Sequence, residues 1–153
     1  MELLAIIKTV FAGIAATFGM SLLMWLIHRS GIANADMIRA IGSVFTRSYE
    51  NSFTPGIVIH FVVGTVIAFI YVLLINLFSP GSHLAYFILT GAMIGLFHGV
   101  AFSFVLVVSV AEHHPLEQFR QAGSEVAIAH LVGHIVYGLI VGTLVGILGI
   151  RFF

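Results

Sequence analysis

The stretch Val126–Ile150, VAIAHLVGHIVYGLIVGTLVGILGI, decides the fold. It contains no Asp, Glu, Lys or Arg, and as a helix rising about 1.5 Å per residue it is long enough for a hydrocarbon core about 30 Å thick. Gly138, Gly142 and Gly146 recur every four residues along it. Such a row lets two helix backbones approach closely, which matters where lipid offers no hydrophobic drive for helix association. His134 and His130 extend the same row toward the start of the stretch. Both imidazoles are therefore expected to face a neighbouring helix.

Working outward, three further stretches have spanning length: Leu3 to Ile27, Pro55 to Phe78, and Leu84 to Ala111. Thr54 is positioned to cap the second span ahead of Pro55 at its first turn, and Ser124 to cap the fourth. Ser79, Pro80 and Gly81 read as the tight turn joining the second and third spans. Lys8, the one charge within a span, is expected to snorkel to the headgroups. Trp25, Tyr71 and Tyr86 are placed as an aromatic belt would place them. Ala33-Asn34-Ala35 reads like a cleavage site, but the preceding apolar run is longer than a signal-peptide core, so the segment is expected to be a retained helix.

Between the first two spans, residues 35–47 have the pattern of an amphipathic helix at the interface. Met37, Ile38, Ile41, Val44 and Phe45 form one face, and Asp36, Arg39, Ser43, Thr46 and Arg47 the other, with Asn34 as candidate cap. Residues 115–123 read as a second, shorter surface helix carrying Leu116 and Phe119. The expected architecture is thus an all-α integral membrane protein: one domain, four transmembrane helices and a short interfacial helix. The side holding the two long connections has Arg29, Arg39, Arg47 and Arg120, against Lys8 and Arg151 on the side of the termini. The positive-inside rule then puts the connections in the cytoplasm and both termini outside.

The composition agrees. The chain is 60% hydrophobic and only 8% charged, whereas a soluble domain carries about a quarter charged residues. Six basic residues balance six acidic ones, which removes the basic excess that nucleic-acid binding needs. There is no cysteine, so a metal ligand would have to be His or carboxylate. No phosphate-cradling glycine loop, nucleophile elbow or zinc-protease motif occurs. The conspicuous remainder is eight histidines.

His28, His83, His113 and His114 fall at or beyond span ends, where an imidazole tip can be wet. His60, His98, His130 and His134 fall within spans. Counted from the loop side, His60 and His130 lie roughly 8 Å deep, His134 about 13 Å and His98 about 20 Å. Ionisable residues inside spans are uncommon and point to interior sites. These four form the candidate site for a transition metal such as Zn, Fe or Cu, with His60 and His134 as the pair that could take a b-type haem. Glu112, Glu125, His113, His114 and Tyr137 are the candidate entrance and supporting groups. His98, Phe102, Val105, Ser109 and Glu112 follow one helical face toward the loop side. Two other uses stay open: helix packing, with each imidazole bonded to a carbonyl or to Thr65, Ser103 or Tyr137, and proton or solute movement.

The second and fourth spans also share a phrase, His60-Phe-Val-Val-Gly64 and His134-Ile-Val-Tyr-Gly138, while Ala15 to Gly19 parallels Gly95 to Gly99. A repeat of this kind would relate two parallel two-helix halves by an axis along the membrane normal. On Gly91 to Gly99 with His98, and on Ala129-His130-Leu-Val-Gly-His134-Ile-Val-Tyr137-Gly138, the chain resembles the uncharacterised YagU-like families of small multi-span prokaryotic membrane proteins. The resemblance implies a protein of the prokaryotic inner membrane and assigns no catalytic residue. The lipid bilayer is then the first partner, with other membrane subunits of a redox complex, or further copies of this chain, as candidates beyond it.

Overall fold

The structure is a computed structural model, and it describes residues 2–79, 81–105 and 111–152. Among these, regular structure is entirely helical: α1 (Glu2–Arg29), α2 (Met37–Thr46), α3 (Phe53–Phe78), α4 (Leu84–Val105), α5 (Ala111–His113), α6 (Glu117–Arg120) and α7 (Ser124–Leu148). The helices α1, α3, α4 and α7 are each long and apolar enough to cross a membrane. Pro80, Ser109 and the rest of residues 106–110 lie outside the described residues, so the expected turn proline and that part of the third-span face are not placed.

The most extensive packing joins α4 to α7. A Cβ at Gly91 would collide with the Gly138 carbonyl, one at Gly138 with the Gly91 carbonyl, and one at Gly142 with the Phe87 carbonyl. These residues are glycine because each backbone lies where a neighbour's side chain would otherwise start. In the other half, α1 packs on α3 with Thr17 against Gly64 and with Gly13 against Thr65 and Ala68. The two long helices of each half thus touch, with the glycines of the two related phrases at those contacts, and α1 packs as extensively on α7, at Gly19 and Gly133. The buried core contains Met20, Met24, Val72, Ile75, Val141 and Val145.

Outside this core, large apolar side chains such as Phe18, Val62, Phe97 and Ile128 are exposed. Residues of that kind belong in lipid.

Several helix ends differ from the sequence expectation. The amphipathic helix α2 is capped by Asp36, whose carboxylate accepts from the Arg39 N–H, rather than by Asn34. α3 starts two residues before Pro55, with Ser52 at its N-cap, and Gly123 rather than Ser124 occupies that position on α7. Of the expected second surface helix, only Glu117–Arg120 is helical. Lys8 reaches the end of α7 on the side of the termini, where its ammonium donates to the Leu148 carbonyl at 2.7 Å. A cation there satisfies an unpaired carbonyl at the end of α7 and faces the negative end of the helix dipole.

α2 does more than rest on the bilayer surface. A Cβ at Gly42 would collide with the Ser52 carbonyl, and one at Gly56 with the Ile38 carbonyl, so α2 and the start of α3 touch backbone to backbone. Met37 and Ser43 are buried while Val44 and Phe45 remain exposed. The face read as polar is thus partly an interior face. Arg39 secures it, donating to the Tyr49 carbonyl at 2.6 Å and lying 4.6 Å from the Tyr49 ring centroid. The Tyr49 hydroxyl in turn donates to Asp36 at 2.9 Å.

Two expectations follow. Gly138→Leu forces the α4 backbone away and lowers stability by about 2 kcal/mol or more, read as a fall in melting temperature in detergent; Val132→Leu, on the exposed surface, leaves it nearly unchanged. Burial, followed by the Asp36 hydrogen bond, holds the Tyr49 phenol above its ordinary value. Because the folded value is the higher one, this contribution is complete below the ordinary phenol value of about 10. It disappears as pH rises through the folded value, so alkaline melting curves of the parent and Tyr49→Phe converge.

Candidate functional site

All four intraspan histidines line one cavity of about 350 Å³, together with Tyr137. Its walls come from the four long helices and α2: Thr17 and Met20 from α1, Met37 from α2, His60 from α3, His98 from α4, and His130, His134 and Tyr137 from α7. No Lys, Arg, Asp or Glu is among the described residues that line it. The volume is within the range of small-molecule sites, about 300–1,000 Å³.

At its centre the rings of His98 and His134 pack 4.3 Å apart between centroids, tilted by 42°. Glycine spacing produces this pair. A Cβ at Gly95 would strike the His134 carbonyl, and one at Gly99 would come within 3.1 Å of the His134 Cβ. With no side chain at either position, the His134 turn of α7 sits directly on α4 beside His98. Phe102 closes one end, 4.5 Å from His98 and 5.5 Å from His134 between ring centroids.

Tyr71 orients His98, its hydroxyl sharing a 2.9 Å hydrogen bond with Nδ1. Far from lying in an interfacial belt, Tyr71 is buried within α3, where its ring meets that of Tyr137 edge-on at 5.1 Å. Sequence reasoning missed it, although Tyr71 continues the row His60, Gly64, Ala68 by a three-residue step. The Tyr137 hydroxyl donates to the Gly64 carbonyl at 2.6 Å, tying the two related phrases across the bundle.

His130 donates from Nδ1 to the Val126 carbonyl of its own helix at 2.9 Å. That bond fixes the proton on Nδ1 in the neutral ring and leaves Nε2 as an acceptor. The Nε2 atom of His60 is buried without a hydrogen-bond partner. Leaving a buried polar atom unpaired costs roughly 1–3 kcal/mol. Among the described residues, no three His, Asp or Glu side chains gather closely enough to hold a metal ion.

The entrance groups are arranged differently from one another. Glu112, His113 and Glu125 are exposed and line neither this cavity nor a smaller one of about 120 Å³ beneath α2. His114 is buried instead of wet at the interface. Its Nε2 donates to the Ala40 carbonyl of α2 at 3.1 Å, while Nδ1 accepts from the Leu116 N–H at 3.1 Å. The imidazole therefore bolts the connection before α7 onto α2. The smaller cavity shares His130, Met37 and Ile41 with the larger, and its rim includes Asn34, Asp36, Gln118 and Gln121.

These features define an all-helical protein with four helices suited to spanning a membrane and histidines gathered in an apolar interior. The chain belongs to a family of unknown function, DUF6789, whose match covers residues 4–151. An uncharacterised family agrees with the sequence reading; the YagU-like affiliation itself receives no support from this match. No curated protein and no solved structure matches the chain.

His114→Ala removes the bond to the Ala40 carbonyl, which keeps the Ser43 hydroxyl as a donor, and leaves the Leu116 N–H without its acceptor. It is expected to cost about 1–3 kcal/mol and to raise hydrogen exchange over residues 115–122 and in α2, with little change in the α4 and α7 core.

Proposed function

We propose that the protein binds a small ligand within the bilayer, with His60, His98, His130 and His134 as its polar contacts. The observation that carries this reading is the meeting of all four imidazoles in one otherwise apolar cavity, although three different helices supply them. Close packing alone accounts for the glycines. It does not account for a buried His60 Nε2 that bonds to nothing in the protein. A ligand with a polar head would satisfy that nitrogen, and its apolar remainder would match the walls.

A transition ion such as Zn, Fe or Cu is the second reading, favoured by the His98–His134 pair. Tyr71 holds Nδ1 of His98, and a ligating imidazole is commonly held in that way through its other nitrogen. A b-type haem fits less well, since it needs an imidazole on each face of a wide slot. His134 is instead flanked by the rings of His98 and Phe102. In either reading the loop side faces the cytoplasm by its arginine excess, and the cell membrane is the setting, with other membrane subunits as candidate partners.

The test is to purify the protein in mild detergent and record elemental metal content, the visible spectrum and the organic-extractable small molecules, then repeat with His134→Ala. A co-purifying molecule or ion present near one per chain, and at least severalfold depleted in the variant, is expected. A sample free of both, whose melting temperature is unmoved by the substitution, would overturn the binding reading in favour of a structural subunit.

A further inference from the structure

Beside the histidine cavity, α3 and α4 stand apart over a cleft of about 640 Å³. It runs along both helices past Ile70, Leu74, Phe78, Met93 and Phe97. Ile70, Phe78, Met93 and Phe97 are exposed, so the cleft opens on the surface that faces lipid. Three residues, Ile67, His98 and Phe102, belong to the cleft and to the cavity alike. The two spaces therefore adjoin at His98: one is lined by four imidazoles, and the other is largely apolar and lateral.

We propose that this compound site takes an isoprenoid-type quinone, its ring among His60, His98 and His134 and its tail along the α3–α4 cleft into lipid. The proposal rests on the reading of the cavity as a binding site and names its ligand class. Three observations select the class. First, no Lys, Arg, Asp or Glu lines either space among the described residues, so a charged head such as a carboxylate or phosphate would be buried unpaired at high cost, and the head must be neutral. Secondly, the inner walls are flat: His98, His134, Phe102 and Tyr137 offer ring faces and edges suited to a planar ring. Thirdly, the polar atoms are single nitrogens on separate helices, chief among them the unpaired Nε2 of His60. In its N–H tautomer it donates to a carbonyl oxygen, and in the other it accepts from a hydroxyl. A quinone presents the first partner and a quinol the second. The long apolar groove leading outward requires a tail, which a head small enough for the cavity would otherwise lack.

The experiment uses the full chain, delipidated in detergent, and two fully substituted benzoquinones that differ only in carrying a decyl chain or a methyl group. With no cysteine in the chain, thiol adducts do not interfere. Saturable binding of both is expected by equilibrium dialysis, tighter for the decyl compound. His98→Gln weakens both by roughly tenfold. Tyr71→Phe, which keeps the packing and only frees His98, weakens both less. Met93→Trp fills the cleft and reduces the decyl compound to the affinity of the methyl one, leaving the methyl compound unchanged. Melting curves of each variant confirm that it is folded. Unchanged decyl affinity in folded Met93→Trp overturns the tail placement while leaving the cavity reading intact. Absence of saturable quinone binding, alongside His98-dependent binding of Zn or Cu added alone, overturns the quinone and favours the ion. Absence of both overturns the cavity reading with it.

Discussion

The contact between the backbones of α4 and α7 is the constraint on which the rest of the interior depends. In lipid there is no gain from removing apolar surface from water, so helices associate by van der Waals approach and by the few polar bonds they can share. Gly91, Gly95 and Gly99 against Gly138, Gly142 and the His134 turn provide that approach over most of the span. The same contact brings the rings of His98 and His134 together. With α4 packed along α7 and α1 packed on both α3 and α7, the helices α3 and α4 meet only slightly, and the cleft lies between them.

Polar groups then hold the frame where glycine cannot. Tyr137 bonds across to the Gly64 carbonyl, Tyr71 to His98, Lys8 to the end of α7, and Asn76 to the Ile150 carbonyl at 3.2 Å. Each joins segments that are distant in sequence. In a low-dielectric interior such bonds are costly to leave unmade, so they fix the relation of the two halves more firmly than their number suggests. The Nε2 of His60 has no such partner, and among the described residues it shares that state with His28 Nδ1 and Asn76 Oδ1.

α2 links the interior to the loop side. It touches α3 backbone to backbone at Gly42 and Gly56 and carries Met37 and Ile41 into the wall of the cavity. His114 binds it from the other connection. Movement of α2 would therefore alter the cavity wall beside His130.

The four spans, the amphipathic helix and the choice of His60, His98, His130 and His134 were legible from local pattern, because length, hydropathy and four-residue spacing are properties of single helices. So was the inward direction of the glycine rows. Convergence of the four histidines was not, since it depends on the rotation of each helix about its axis and on which helices pair. Tyr71 looked interfacial because aromatic residues are read by position along a span, while its role comes from the face it shares with His60 and Gly64. His114 looked like a wet residue at a span end, because a chain read in one dimension cannot show that the Ala40 carbonyl and the Leu116 N–H lie beside it. The sequence by itself determined which segments are long and apolar enough to cross and which residues cannot face lipid; only the tertiary structure decided where the backbones meet, and hence that an imidazole-lined space stays open among the four long helices and α2.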